Sequence, residues 1–375
     1  MAKKTNCERN GIKYFRKYAT INGKRKMIYG ESEKDWKAKV DELEKLNTLG
    51  IIDTKETLGA AMATWVYTIL AGKHNIKKST FSIYEGIYRN SIKGHDVMNI
   101  PLIDAKSASV QKYINDLSSM GKTPNAVREA KKVLNMFFKY AVSEGYILKN
   151  PCTNTTTPPL PARGEIKVFT DAEITKIKDV LADDRDRFLF LLALATGMRQ
   201  GELLALRHSD LSGGSVKVTK TQLTLRHIKQ GSEIEYEISD EPPKTDASYR
   251  DIPLPKFIKT EYQAHRKLCQ IEKLKWGKGR LEEFDPIFLS STGLRWQTAQ
   301  IQKKWELVLA KAEVDYKSFH SLRHTYITKL VQSGINIVTV MQLAGHSKME
   351  TTLRYTHVEM DHKEKAVDII DQLLL

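Results

Sequence analysis

Cysteine is scarce: Cys7, Cys152 and Cys269 are the only three in 375 residues, and they are scattered without paired, metal-type spacing. That pattern provides neither a disulfide framework nor a cysteine-rich zinc site. Long apolar runs are missing as well. The longest, Phe188 to Ala195, lies between Arg187 and Arg199 and falls far short of the roughly 20 residues that span a bilayer. The opening stretch, MAKKTNCERNG, lacks the apolar segment of a signal peptide, so a cytoplasmic, disulfide-free protein without membrane association is expected. There is no internal repeat. With 41% hydrophobic and 28% charged residues, wholesale disorder and collagen-like or low-complexity classes are excluded. Acidic residues are the remaining shortage, 45 against 60 Lys and Arg, which leaves a net charge of +15 and favours a polyanionic partner. Nucleic acid is the first such partner and a membrane surface the second.

The length implies two or three domains at roughly 100 to 200 residues each. The basic charge is concentrated at one end: residues 1–30 hold nine Lys or Arg and one acid, Glu8, a net +8 of the +15. From Gly11 to Gly30, aromatic and β-branched residues alternate with basic ones around Asn22-Gly23, a strong hairpin signal. Ser32 stands three residues before Asp35 in a capping pattern. Trp36, Val40, Leu43 and Leu46 then recur at helical spacing, as if to pack on one face of that basic, aromatic β-ribbon. Four helices are expected next: Leu58 to Leu70, Ser79 to Ser91, Ser107 to Met120 and Thr123 to Glu144. Val133, Leu134, Phe137, Phe138 and Ala141 form an apolar face on the last of them. Asn150 to Gly164 carries four prolines and no periodicity, so it reads as an extended linker at a domain boundary. A larger, mostly helical domain follows. It opens on a cap at Thr170, contains a buried helix from Arg185 to Ala195, shows strand periodicity over residues 215–254, and returns to helix from Lys256.

Four patches of this last region carry residues suited to chemistry: Thr196 to Leu206 with Arg199, a polar turn with Lys244, His320-Ser-Leu-Arg-His-Thr325, and Leu343 to Ser347 followed by Arg354-Tyr-Thr-His357. Arg199 follows Gly197 at a predicted helix start, where free N–H groups and a guanidinium can converge on a phosphate. A plain surface arginine is the alternative. His320 and Arg323, three apart on a helix, share a face, which sets a proton-transfer group beside an anion clamp. His320 and His324 also have the i, i+4 spacing of a two-histidine metal site, but no glutamate follows His320 and Arg323 would repel a dication, so no metal is expected. Ser347 and Glu350 form a capping pair for a short helix ending near Tyr355, with Gly345-His346 as the turn before it. A phenol near pKa 10 needs a base or cationic surroundings to act as a nucleophile, and core packing is the blander fate of Tyr355.

In this order (Arg199, Lys244 on a hairpin, His320 with Arg323, His346, Tyr355) the constellation resembles the tyrosine recombinases, or phage-type integrases, over roughly Thr170 to Val358. The layout extends the resemblance to the whole chain and is most similar to integrases of temperate phages and conjugative transposons of Gram-positive bacteria. One departure is Ala344, where the family more often has a larger aliphatic residue. The resemblance implies a multidomain, mainly α fold with small β elements. Residues 1–50 would form a three-stranded-type β-ribbon with a helix that binds arm-type DNA sites. Residues 55–150 would be an all-helical core-binding domain, 151–164 a linker, and 165–375 an α+β catalytic domain with a C-terminal tail helix.

It also implies a site-specific recombinase that integrates and excises a mobile element. Tyr355 would form a 3′-phosphotyrosyl link, Arg199 and Arg323 would hold the non-bridging oxygens, and Lys244 would protonate the 5′ leaving oxygen. His320 would handle the tyrosine proton, His346 would donate to the phosphate, and Glu202 would orient Arg199 or form a solvent-facing pair with it. No cofactor is implied. The implied partners are double-stranded DNA at core and arm attachment sites, further copies of the chain in a tetramer on DNA, and accessory excision and DNA-bending proteins. Arg16, Lys17, Lys24, Arg25 and Lys26 of the ribbon would contact the arm DNA. The tail, with Ala366, Ile369, Ile370, Leu373 and Leu374 on one stripe, would dock on its own domain or on a neighbouring protomer. A type IB topoisomerase shares this residue set, and a non-catalytic DNA-binding relative is the alternative from another class.

Overall fold

The structure, a computed structural model, describes residues 7–9, 12–21, 24–48, 56–162, 164–227 and 235–356. The tail helix expected within residues 362–375, the Asn22-Gly23 turn and the side chain of Lys24 lie outside the described residues. The chain divides into two compact units, Met1–Ala162 together with Ile228–Ile234, and Arg163–His227 together with Glu235–Leu375.

In the first unit, β1 (Cys7–Arg9), β2 (Ile12–Ile21) and β3 (Lys24–Gly30) form an antiparallel sheet in the order β1-β2-β3. Helix α1 (Glu33–Thr48) covers one face of it. The start of α1 is fixed locally: the Asp35 N–H donates to Ser32 Oγ at 3.2 Å, and the Glu31 N–H donates to the Asp35 carboxylate at 2.8 Å. Period-two alternation then decides which strand residues meet it. Ile21, Ile28 and Val40 form a small core with Ala19, Trp36 and Leu43 against it, and the Trp36 indole donates to the Lys17 carbonyl.

The helices that follow are α2 (Leu58–Thr64), α3 (Lys78–Ile87), α4 (Ser107–Ser119) and α5 (Pro124–Ser143). The sequence predicts one regular helix over Leu58 to Leu70, but the backbone passes from α to a π-helical turn at Trp65–Leu70, and again at Tyr88–Ile92. In both, wider spacing keeps Trp65, Leu70, Tyr88 and Ile92 buried. Thr123 caps α5 with Pro124 in its first turn, and Val133, Leu134, Phe137, Phe138 and Ala141 all lie at 0% exposure, the face that periodicity picks out.

The second unit begins with α6 (Asp171–Val180), whose capping box joins Thr170 and Glu173. Helix α7 (Arg187–Thr196) is apolar all round and fills the core. After α8 (Gln200–Leu204) come β4 (Leu211–Ser212), β5 (Ser215–Val218), β6 (Thr221–His227), β7 (Glu235–Glu241) and β8 (Arg250–Pro253). They make two small sheets, β4-β5-β8 and β6-β7. The remaining helices are α9 (Lys256–Lys275), α10 (Thr298–Lys311), α11 (His320–Gln332), α12 (Ile337–Ala344) and α13 (Met349–Leu353). Trp305 of α10 stacks on Phe190 of α7 at 5.3 Å and meets Phe169 and Phe319 edge-on, which pins α10 and the start of α11 to the central helix. The architecture is thus multidomain and mainly helical with small sheets. Among the described residues, no helix is long and apolar enough to cross a membrane.

Two local expectations fail. Ser347 does not cap the last helix: α13 begins at Met349 with Lys348 at its N-cap position and no side-chain cap bond. Lys244 does not sit on the tip of a hairpin. The strands on either side of it belong to different sheets, β7 pairing with β6 and β8 with β5, so Lys244 lies on the crossover between them.

Candidate active site

Four segments of the second unit converge on the end of α12. The first is the turn from α7 to α8. Gly197 ends α7 with φ of +59°, and a Cβ there would lie 2.3 Å from the Tyr326 ring, so glycine is required both by the backbone and by the close approach of α11. Its carbonyl accepts from Arg323 Nη1 at 2.7 Å. Two residues on, Arg199 occupies the N-cap position of α8. Its backbone N–H donates to Glu202 at 2.9 Å, and its guanidinium donates to the same carboxylate at 2.7 Å. Glu202 is only 3% exposed, so the alternative of a solvent-facing pair is gone.

The second segment is α11. It presents His320, Arg323 and His324 in its first two turns, and the Phe169 N–H donates to Thr325 Oγ1 to hold the helix against the chain that precedes α6. The third is the end of α12. Three consecutive carbonyls there each accept from a different arginine: Leu343 from Arg250 Nε at 2.8 Å, Ala344 from Arg323 Nη2 at 2.6 Å and Gly345 from Arg199 Nη2 at 2.9 Å. These are the carbonyls a helix leaves unpaired, at the negative end of its dipole, so cations are their natural partners. The fourth segment is α13 and the turn after it, which bury Tyr355 to 8% exposure among Ile327, Val340 and Ala344.

The charge balance is lopsided. Arg323 is 2% exposed, and its hydrogen-bond acceptors are carbonyls rather than carboxylates. Burial first, then the Arg199 charge, lowers its pKa to about 10, which still leaves it cationic at neutral pH. Burial pushes the Glu202 carboxyl up, but Arg250 and Arg199 outweigh it and the net direction is down, so it is ionised. Three guanidinium groups therefore gather around one carboxylate, a net of about two positive charges, with Arg250, Arg323 and Glu202 buried and Arg199 open to solvent on one side. A phosphodiester is an anion suited to that excess.

The histidines respond to the same field. His346, 7% exposed, is pushed down to about 4 by burial and then by Arg323 and Arg199, and its Nδ1 lies 2.8 Å from Thr352 Oγ1. His320 is also pushed down to about 4 by burial, His324, Arg323 and Arg199. Its side chain keeps an open edge to solvent, and the ring is neutral at pH 7. For Tyr355, burial raises the phenol pKa more than Arg323 and Arg354 lower it. The phenol is therefore protonated at rest and needs a base. Its hydrogen-bond partner is His324, whose Nδ1 lies 2.6 Å from the hydroxyl and whose pKa is lowered by burial and by Arg323. A neutral ring carrying its proton on Nε2 accepts there.

Arg199, Arg323, His346 and Tyr355 are thus gathered around one seat, and His320 stands beside it with its ring 4.8 Å from that of His324. Lys244 is exposed, with no hydrogen bond or ion pair among the described residues. Sequence reasoning picks out His324 only as half of a metal pair and passes over Arg250. Both become visible through contacts 31 and 48 positions away along the chain.

The ribbon residues fall on two faces. Cross-strand pairing sets Arg16 opposite Tyr29 and Thr20 opposite Arg25, on the face away from α1 with Tyr18. There the Arg25 guanidinium stacks 4.4 Å above the Tyr18 ring, and Tyr14 meets Tyr29 edge-on. Lys17 and Lys26 project from the α1 side, where Lys17 lies 5.7 Å from the Trp36 ring.

The phage integrase family matches residues 167–362, more than half of the chain. A tyrosine recombinase XerC-like protein of Caldanaerobacter subterraneus subsp. tengcongensis is 36% identical over 393 aligned residues that cover all of both chains. Among solved structures, the Tn1549 transposon integrase in complex with a circular intermediate DNA matches with a TM-score of 0.66 at 20% identity, over 84% of this chain and 99% of that one. The lambda integrase tetramer bound to a Holliday junction matches with a TM-score of 0.58 at 18% identity, over 92% of each chain. At that identity the two structures speak for the fold, while the family match and the full-length relative reach further: the chain belongs to the phage integrase family and is a DNA-strand-transferring tyrosine recombinase.

Proposed function

We propose that Tyr355 is the nucleophile of this recombinase and that the chain integrates and excises a mobile element. The observation that carries the site assignment is the pairing of two arginines in charge excess with a protonated tyrosine already hydrogen-bonded to a neutral histidine. The phenol oxygen attacks the scissile phosphorus while His324 takes its proton, with His320 next in line toward solvent. Arg199 and Arg323 donate to the non-bridging oxygens as charge builds on them, and His346 adds a neutral donor. The P–O5′ bond breaks as Lys244, on the crossover between the two sheets, gives its proton to the leaving oxygen. A 3′-phosphotyrosyl link and a free 5′-hydroxyl result. Attack by the 5′-hydroxyl of another strand reverses the step, and no nucleotide or metal enters the atom balance.

Residues 1–50 bind arm sites through the open sheet face, with Arg16 and Arg25 in contact with DNA and Lys17 and Lys26 adding charge from the α1 side; Lys24 remains an expected DNA contact. Residues 55–150 bind the core site. Four copies assemble on two duplexes, a reading supported by the lambda integrase tetramer bound to a Holliday junction, and accessory excision and DNA-bending proteins adjust the direction. A core-site duplex nicked near the cleavage position tests the chemistry, because loss of the short 5′-hydroxyl fragment traps the adduct. Wild type is expected to give a covalent product and strand transfer to a second duplex. Tyr355→Phe, which deletes only the hydroxyl, is expected to bind but give neither. An adduct from that variant sinks the assignment of the nucleophile, and an adduct without strand transfer points to cleavage and resealing alone.

A further inference from the structure

We propose that Arg250 is a positioning residue for the phosphate clamp: it aims Arg199 through Glu202 and fixes the end of α12 through the Leu343 carbonyl. The inference rests on the assignment of Arg199 to the phosphate. Arg250 opens β8, 51 residues after Arg199, and its side chain is 6% exposed. Four of its five N–H donors are engaged: Nη2 donates to Glu202 Oε2 at 2.8 Å, Nη1 to Glu202 Oε1 at 3.3 Å and to the Ser248 carbonyl at 3.0 Å, and Nε to the Leu343 carbonyl at 2.8 Å. With four donors spent on neighbours and the side chain buried, Arg250 acts through those neighbours rather than on a substrate.

Two consequences follow from that geometry. First, Glu202 without Arg250 would have Arg199 as its one cationic partner, and the carboxylate would neutralise the arginine intended for the phosphate. With Arg250 in place the carboxylate charge is matched, Glu202 still orients Arg199 through two hydrogen bonds, and the positive charge of Arg199 stays available. Second, Arg250 sets where the Gly345 carbonyl sits. Gly345 has φ of +67°, and a Cβ there would lie 2.9 Å from Arg250 Nη1 and 3.2 Å from the Ala247 carbonyl. The turn that presents His346 and gives Arg199 its resting acceptor is therefore moulded against Arg250. One side chain thus ties together the α8 turn, the loop that carries Lys244 and the end of α12.

The experiment is a double-mutant cycle in the full chain, read as single-turnover cleavage of the nicked duplex, with core-site affinity and thermal stability measured alongside. Arg250→Lys keeps the charge and loses the fork, and Arg250→Ala removes both. Each is expected to slow cleavage by at least about tenfold in the Arg199-intact protein, with affinity within about threefold, and to add little further loss on top of Arg199→Ala. Losses that multiply in the double variant, or Arg250 variants that cleave like wild type, overturn the proposal. Where Arg250→Ala unfolds because Glu202 is left uncompensated, Arg250→Lys decides. The two readings fail separately: an Arg199→Ala protein that cleaves normally removes the clamp itself, whereas an impaired Arg199→Ala beside unimpaired Arg250 variants removes only this inference.

Discussion

Arg25 and Arg323 are the same residue in opposite surroundings. Arg25 lies on the open face of the ribbon, stacked on Tyr18 and bathed in solvent, while Arg323 is buried, with both Nη groups committed to backbone carbonyls. An exposed guanidinium is screened by salt and free to adjust, so it contributes affinity and reach. A desolvated one, fixed by the ends of two helices, cannot rearrange and acts on charge at full strength where the geometry is already set. Under the proposed function, the ribbon finds and holds a polyanion, and the clamp recognises where negative charge grows.

The largest effects are expected at the clamp. Arg199→Ala and Arg323→Ala are each expected to cost about 3 to 4 kcal/mol of transition-state stabilisation, the scale set by loss of one oxyanion donor, read as cleavage rate at saturating DNA. Arg323→Lys is expected to recover little, since an ammonium cannot span the Gly197 and Ala344 carbonyls and the phosphate together. A lysine variant close to wild type shows that charge alone suffices and that the fixed fork is irrelevant.

Burial also predicts an acid response that the ribbon lacks. His346 has a pKa of about 4 folded, against 6.5 as its ordinary value. As pH falls below about 6.5 the unfolded chain takes up the proton first, so the stability associated with neutral His346 is complete above that value and is lost as pH drops through the folded value. The shift corresponds to about 3 kcal/mol at most. Urea unfolding at pH 7 and at pH 4.5 measures it. His346→Asn, which cannot titrate, is expected to flatten part of the slope, with His320 contributing in the same direction. Equal slopes in the two proteins contradict the neutral, buried histidine.

The base assignment sharpens the picture inside the clamp. His324→Ala removes the group 2.6 Å from the phenol and is expected to slow cleavage by about a hundredfold, the low end for general base catalysis. The loss is expected to shrink as pH rises toward the phenol pKa, where hydroxide-driven ionisation replaces the base. A loss that is flat with pH assigns His324 to packing beside Tyr355.

What can be read from sequence divides along the same line. The ribbon, the α5 face and the Thr170 cap rest on residues within a few positions of one another, so period and capping chemistry expose them. The motif order exposes Arg199, Arg323, His346 and Tyr355, because each sits in a short pattern with its own local geometry. His324 and Arg250, the base and the positioning residue of the two proposals, stay hidden. His324 reaches Tyr355 across 31 positions, Arg250 reaches Glu202 across 48, and the acceptors for three arginines are backbone carbonyls, which no side-chain pattern reports. The cap expected at Ser347 fails for a related reason: the Gly345 turn and the Arg250 contact fix the chain there, and the helix starts where that turn releases it.

The smallest effect belongs to the open face. Removing one phosphate contact by Arg25→Ala is expected to weaken arm-site binding by about 1 kcal/mol or less and to lower the slope of log affinity against log salt by about one, with core-site cleavage unchanged. The register gives this test its control. Lys17 projects from the opposite face toward Trp36, so Lys17→Ala is expected to leave the slope closer to wild type than Arg25→Ala does. If the two variants shift the slope equally, the charge of the ribbon acts as a diffuse field around both faces. If Arg25→Ala alone shifts it, the face carrying Arg16, Tyr18 and Arg25 is the one seated on DNA.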